Sequence, residues 1–373
     1  MKLRKNLLLL FIGACCLSSC IRQEALNSEA DITACKISSD ILLRDPVITN
    51  NKVTLYVNDG TDLSNLSPQF TLTDGATISP ASGTVLNFST PQNYTVTSQD
   101  GKWKKQYTVE CTFANPVTEY HFEDVKYFTD PSDDSGGKKQ YYQIFNNLAF
   151  DGSSFEWGSG NAGFEITHSN SPATDYPTCQ DDNGYVGKCA KLTTCSTGFW
   201  GAAVGAPIAA GNLFIGTFEI NLTNMAKSTH FGVPFHYVPK ELVGYYKYKA
   251  GDKYTDKSNN EVVGKKDNFD IYAVFYEVTS DVQYLDGTNS LTSNNIVSIA
   301  RITDKKETDT WTRFVVPFQL CTGKTIDPVK LKNGQYSISI IMSSSIDGAI
   351  FNGAVGSTLW VDEMQLFYES GNN

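Results

Sequence analysis

The sequence predicts an all-β protein built as two sandwiches in tandem, an immunoglobulin-like domain followed by a larger domain of jelly-roll type. Three observations carry this expectation. Val53, Leu55 and Val57 alternate with polar or amphipathic neighbours, as do Tyr107, Val109, Cys111 and Phe113, which is the period-two signature of half-buried strands. Turn signals at Asn58-Asp59-Gly60, Asp74-Gly75, Ser82-Gly83 and Asp100-Gly101 punctuate that region at the spacing of a small antiparallel sandwich. Farther on, the runs Phe269-Asp270-Ile271-Tyr272-Ala273-Val274-Phe275-Tyr276 and Tyr336-Ser337-Ile338-Ser339-Ile340-Ile341-Met342 read as buried strands, and no segment offers an amphipathic helix.

Taken in order, the chain opens with Lys2, Arg4 and Lys5, an apolar run over residues 7–12, and Leu17-Ser18-Ser19-Cys20. A basic head, a short apolar stretch and small residues before a cysteine predict a lipoprotein signal peptide over residues 1–19, with Cys20 lipidated. The apolar run is too short to span a bilayer as a mature helix, so the lipid is the expected membrane anchor. Residues 20–30 lack periodicity and read as a lipidated tether, followed by the immunoglobulin-like domain over 31–114. Asn115-Pro116-Val117-Thr118 breaks the pattern, and the jelly-roll domain follows over 120–369.

The chain carries a net charge of −10, and removal of the three basic residues of the leader makes the mature protein more acidic still. Nucleic acid is excluded as a natural partner on that balance. Of nine cysteines, Cys15 and Cys16 leave with the leader and Cys20 takes lipid. Cys35, Cys111, Cys179, Cys189, Cys195 and Cys321 remain. The extracytoplasmic compartment permits disulfides, and Cys35 and Cys111 lie near the two ends of the first domain, so a bridge and buried free thiols are both open. No C-x-x-C pair points to metal.

The second region opens with Tyr120-His121-Phe122-Glu123-Asp124 and closes with Leu359-Trp360-Val361-Asp362-Glu363-Met364-Gln365-Leu366-Phe367. Between them come Trp157-Gly158-Ser159-Gly160-Asn161, Lys191-Leu192-Thr193-Thr194, Gly211-Asn212-Leu213-Phe214-Ile215-Gly216, Gly232-Val233-Pro234-Phe235 and Gly244-Tyr245-Tyr246-Lys247-Tyr248-Lys249. This order resembles the putative carbohydrate metabolism domain family of Bacteroidetes lipoproteins over residues 120–369, most specifically from Gly244 to Val274. Gly60-Thr61-Asp62-Leu63 and Tyr94-Thr95-Val96-Thr97 resemble the immunoglobulin-like domains that precede that family. The resemblance implies a sandwich akin to carbohydrate-binding modules with a sugar-related role, and no settled catalytic mechanism. More distantly, the Phe-Glu opening strand and Val-Asp closing strand are similar to jelly-roll modules in which such acids hold a structural calcium. By that resemblance Glu123 and Asp362 flank one calcium site, an ion suited to hard oxygen ligands; otherwise they are solvated edge carboxylates. No other cofactor is implied.

Gly158-Ser159-Gly160-Asn161-Ala162-Gly163 matches the dinucleotide fingerprint, but that motif works only where it opens a helix after a strand of a βαβ unit. Phe164-Glu165-Ile166-Thr167 reads as a strand, with Pro172 and Pro177 beyond it, so a Gly-rich turn is expected. His121, His168, His230 and His236 include no pair at helical metal-ligand spacing, and no nucleophile elbow occurs. Glu219, Asp270 and Glu277 sit in expected strands, yet abundance of acids is no sign of a glycosidase pair, so no residue is assigned a catalytic role.

Aromatic residues say more, because sugar rings stack their C–H faces on flat side chains. Trp200 stands among small residues, and Tyr245, Tyr246, Tyr248 and Tyr254 crowd a Lys-rich stretch over 240–266. With Asp270 these form the expected carbohydrate-binding set, against the alternatives of core packing for Trp200 and a solvated loop for the tyrosines. Trp157 and Trp360 are expected in the core. The stretch 247–267 reads as a long, charged loop suited to specificity. The resulting expectation is an outer-membrane, lipid-anchored protein at the cell surface or periplasmic face, binding a glycan during polysaccharide uptake or sensing. The competing readings are an extracytoplasmic glycoside hydrolase and an adhesion or structural subunit with a protein partner in a glycan-uptake assembly.

Overall fold

The computed structural model describes residues 26–38, 41–42, 45–57, 61–113, 118–130, 138–148 and 154–369. The signal peptide, Cys20, the start of the tether, the turn at residues 58–60 and residues 115–117 of the break lie outside the described residues. The chain divides into two compact units. Of the described residues, 26–37, 50–53 and 63–110 make up the first, and 111–369 with 38–49 and 54–62 make up the second.

Period-two alternation becomes strand toward the amino-terminal end, where Val53, Leu55, Val57, Val96 and Val109 are fully buried. A five-stranded sheet runs in the order Val47–Ile48, Lys52–Val57, Lys104–Phe113, Gln92–Thr97, Thr77–Ser79. Ile32–Lys36 pairs antiparallel with Gln69–Leu72 as a second sheet, and Phe70 meets Tyr94 edge to face at 4.9 Å. Cys35 is a buried free thiol, and burial pushes its pKa up to about 12.

The larger unit is an antiparallel two-sheet sandwich. One six-stranded sheet runs Thr178–Asp181, Cys189–Thr193, Thr358–Glu369, Val238–Lys249, Thr308–Pro317, with Glu119–Tyr120 also paired to Thr358–Glu369. Opening and closing strands are therefore neighbours, as a jelly roll requires. The other six-stranded sheet runs Asn212–Phe214, Tyr336–Ser343, Asp270–Glu277, Ile296–Arg301, Gln319–Leu320, with Val233–Pro234 paired to Tyr336–Ser343. Leu242, Tyr246, Tyr248, Leu359 and Val361 of the first sheet pack against Ile271, Ala273, Phe275, Ile338 and Ile340 of the second. Asp270–Glu277 and Tyr336–Ser343 are buried at every position but the last because both their faces are covered. Tyr272, Val274, Tyr276 and Ile341 pack on the side away from the sandwich core, with Phe214 and Phe231.

Three sequence expectations need correction. The stretch expected as a strand at 164–167 lies in a helix, Asn161–His168, and shorter helices occupy Gly198–Ala203 and Pro328–Lys332. The β-branched Ile166 and Thr167 are overruled by anchoring: the buried Asn161 amide donates to the Thr178 carbonyl at 2.7 Å and accepts from the Thr178 N–H at 3.1 Å. Phe164 is buried beside Tyr176. The preceding strand, Ser154–Glu156, pairs antiparallel with Gln140–Leu148, so the glycines open no βαβ unit. The tyrosines expected in a loop at 245–248 belong to the strand Val238–Lys249, and Trp360, expected in the core, lies half-buried on the outer sheet face.

Candidate functional site

A cavity of about 380 Å³ opens on the outer face of the second sheet. Its floor is formed by side chains of that sheet pointing away from the core: Phe214, Asp270, Tyr272, Ile341 and Ser343. The walls come from the helix Asn161–His168 and the segments 218–231, 286–292 and 346–351. Most of these are loops, but they are tied down. Asp286 accepts from the Thr288 N–H at 2.7 Å and from its hydroxyl. The Gly287 N–H is shared between the Ala226 carbonyl at 2.9 Å and the Thr229 hydroxyl at 3.0 Å. Tyr272 and Ser290 hydroxyls meet at 2.8 Å. A largely apolar, partly enclosed cleft with a few converging hydroxyls is the usual form of a small-molecule or sugar site. Its rim exposes Ile166, Ile220 and Leu222, the last 78% exposed.

Asp270 supplies the strongest electrostatics. Arg301 donates to it twice, at 3.1 and 2.6 Å, and the buried Lys305 ammonium lies 2.8 Å away. Two cations meet one carboxylate, leaving the end of the groove floor with an excess positive charge. Burial pulls the Lys305 ammonium below the ordinary lysine value, against the attraction of Asp270. Asp270 is the one carboxylate lining the cavity among the described residues.

The other expected sugar-binding residues scatter. Trp200, 73% exposed on the helix Gly198–Ala203, is not among the residues that line the groove, although Thr197 and Ala206, which bracket that helix in sequence, are. Tyr246 and Tyr248 are in the sandwich core. Tyr254 is buried, donating its hydroxyl to Asp347 at 2.6 Å. Tyr245 points outward from the opposite sheet, stacked on Tyr185 at 3.8 Å. The charged stretch after Lys249 is pinned at its root. Burial raises the Asp267 carboxyl, which accepts from the Ser345 and Ser357 hydroxyls at 2.5 and 2.8 Å and from the Ala354 N–H at 2.7 Å. Sequence reasoning missed Phe214, Tyr272, Leu222 and Ile341. A buried strand exposing apolar side chains on both faces was the available signal, since the outward set had to be covered by something.

Glu123 and Asp362 do not fit a calcium site. Both serve the loop after Asp181. Asp362 accepts from the Tyr185 and Val186 N–H groups at 2.7 and 3.0 Å, and Glu123 accepts from the Lys188 N–H at 3.0 Å. A Cβ at Gly187, whose φ is +59°, would fall 2.1 Å from the Glu123 carboxylate, so the acid and the loop are fitted to each other. Among the described residues no three His, Cys, Asp or Glu side chains cluster as metal ligands. The histidines are engaged singly: His121 with Glu363 at 3.0 Å, His168 stacked on Phe164, His230 on Tyr284, and His236 with the Leu331 carbonyl.

The family model described as putative carbohydrate metabolism domain matches residues 121–367, and one described as SGBP, N-terminal, matches residues 33–111. A solved structure of a putative glycoside hydrolase from Bacteroides thetaiotaomicron VPI-5482 is 50% identical with a TM-score of 0.81, the match covering 94% of this chain and 100% of that one. A second, of a putative glycoside hydrolase from Bacteroides vulgatus ATCC 8482, is 44% identical with a TM-score of 0.61, covering 68% of this chain and 98% of that one. No curated protein matches the chain. Among the described residues no helix is long and apolar enough to cross a membrane.

Proposed function

We propose, from the premise that this chain belongs to the putative carbohydrate metabolism domain family, that its larger unit holds a glycan in the groove floored by Phe214, Tyr272 and Asp270. The observation that carries this reading is the cavity itself: about 380 Å³, walled by aromatic rings and edged by serine and threonine hydroxyls. Rings bury the C–H faces of a sugar and hydroxyls orient it. The match of the smaller unit to the SGBP N-terminal model supports the same role. Binding without turnover is favoured because glycoside hydrolysis needs two carboxylates across the scissile bond. The described cavity lining offers Asp270, already held by Arg301 and Lys305.

Screening the full-length chain against immobilised glycans tests this. A glycan bound by the parent should lose about tenfold or more in affinity with Leu222→Asp, which sets a charge on the apolar rim, and Trp200→Ala should weaken it by about 1–3 kcal/mol. A folded chain that binds no glycan, or binds with unchanged affinity in both variants, overturns the groove assignment. Glycoside hydrolysis is the second reading, carried by the names of the two Bacteroides structures. Release of reducing sugar by the parent, abolished by Asp270→Asn with binding retained, would establish it.

The leader adds the setting. Lipid on Cys20 tethers the chain to the outer membrane, where the groove captures polysaccharide for uptake. Cys20→Ser should move the protein from the membrane to the soluble fraction, and an unchanged distribution would refute the anchor.

A further inference from the structure

Across the outer face of the first sheet, on the opposite side of the sandwich from the groove, cationic and aromatic side chains alternate over four strands. Register sets Lys191 beside Trp360 and Trp360 beside Lys247. The Lys247 ammonium lies 5.3 Å from the Trp360 ring centre and 4.6 Å from that of Trp311. In the next row Tyr245 stands opposite Arg313. Tyr185 stacks on Tyr245 with planes 12° apart and meets Trp311 edge to face at 6.4 Å. Tyr185 is 46% exposed, and the Trp360 indole is fixed by an N–H donated to Asp181 at 3.1 Å.

Two features of this surface call for a ligand. Tyr185 is exposed and Trp311, Trp360 and Tyr245 are half-buried, held on the outer face by stacking, by the Lys247 ammonium and by a hydrogen bond, and not folded into the core. Among the described residues, moreover, no ion pair involves Lys191, Lys247 or Arg313, in a protein of net charge −10 that could readily supply partners. The neighbouring acids are occupied: Asp181 by Asn183 and Trp360, Asp362 by backbone N–H groups.

We propose that this face is a second binding site, for a uronate-bearing polysaccharide laid across the strands. Sugar rings rest on Trp311 and Tyr185, and their carboxylates meet Lys247, Lys191 and Arg313. The three strand spacings from Lys191 to Trp311 span about 14 Å, room for a short run of sugar units. Carboxylate–ammonium hydrogen bonds supply the charge selectivity and stacking supplies the fit to a pyranose ring. The site extends the glycan-binding reading but does not depend on what the groove holds.

Titration of the full-length chain with polygalacturonate and with alginate, followed by calorimetry, tests the assignment. The chain should bind at least one of them, more weakly as salt is added, and should not bind the fully methyl-esterified form of the same polymer. Lys247→Met and Trp311→Ala should each weaken binding about tenfold, while Leu222→Asp in the groove leaves it unchanged. Should Trp311→Ala fail to fold, Lys191→Met with Lys247→Met carries the same test. Absence of binding by the folded chain to both uronates, equal binding of the ester, or unchanged affinity in the variants each overturns the proposal. Loss of uronate binding in Leu222→Asp with no loss in Lys247→Met would also overturn it, while leaving the groove reading intact.

Discussion

Asp362 gives the sharpest physical prediction. Its side chain is fully buried beneath the loop after Asp181, and burial, only partly offset by three backbone N–H donors, raises its carboxyl from 3.8 to about 6. A carboxyl raised on folding binds its proton more tightly in the native chain than in the unfolded one. The stabilisation is therefore fully present below the unfolded value and is lost as pH rises through about 6. The shift corresponds to about 3 kcal/mol. Asp362→Asn removes the titration while keeping an oxygen to accept from Tyr185 and Val186, so its other costs do not change with pH. Urea unfolding of parent and variant, followed by far-ultraviolet circular dichroism between about pH 4 and about pH 7, isolates the effect as a difference of differences. The parent should lose about 2 kcal/mol relative to Asp362→Asn over that range. Parallel stability curves, or a parent that gains on the variant as pH rises, would refute the reasoning.

Other outcomes follow from the same geometry. Tyr248→Ala should cost about 3–5 kcal/mol of stability by emptying a core position, measured by chemical denaturation, with glycan affinity per folded molecule unchanged. Asp270→Ala should destabilise by about 3–5 kcal/mol, because it strands the buried Lys305 and its neighbour Arg301 without a counter-charge; a loss below about 1 kcal/mol would mean that the triad is solvated. Calcium and chelator should give the same melting temperature, since a ligand held only by the folded state must raise it, and Glu123 and Asp362 are committed to backbone donors. A rise with calcium would show that the two acids bind the ion after all.

Much of the architecture was legible before any coordinates. Period-two alternation at 53–57 and 107–113 and the runs at 269–276 and 336–342 became strands within three residues of the expected bounds. Local chemistry suffices there because side-chain period is set by backbone geometry alone. The helix Asn161–His168 was not legible, because its cause is a long-range contact: Asn161 bonds to Thr178, a residue on another strand. Propensity reasoning sees β-branched residues there and cannot see the anchor.

The candidate sites divide along the same line. The sequence by itself determined that aromatics and charges concentrate between residues 240 and 276, and Asp270 of that stretch lines the groove, whereas Trp200 is exposed outside its lining. Only the tertiary structure decided which of those aromatics meet solvent. In Val238–Lys249 the alternation sends Tyr246 and Tyr248 into the core and leaves Tyr245 and Lys247 on the outer face, since a strand between two layers must surrender every second side chain to the interior. Trp311, Trp360 and Tyr185 come from three distant segments. They form one surface with Lys247 only because antiparallel register brings their strands and the intervening loop together, and register is a property of the folded sheet, not of any local stretch of chain.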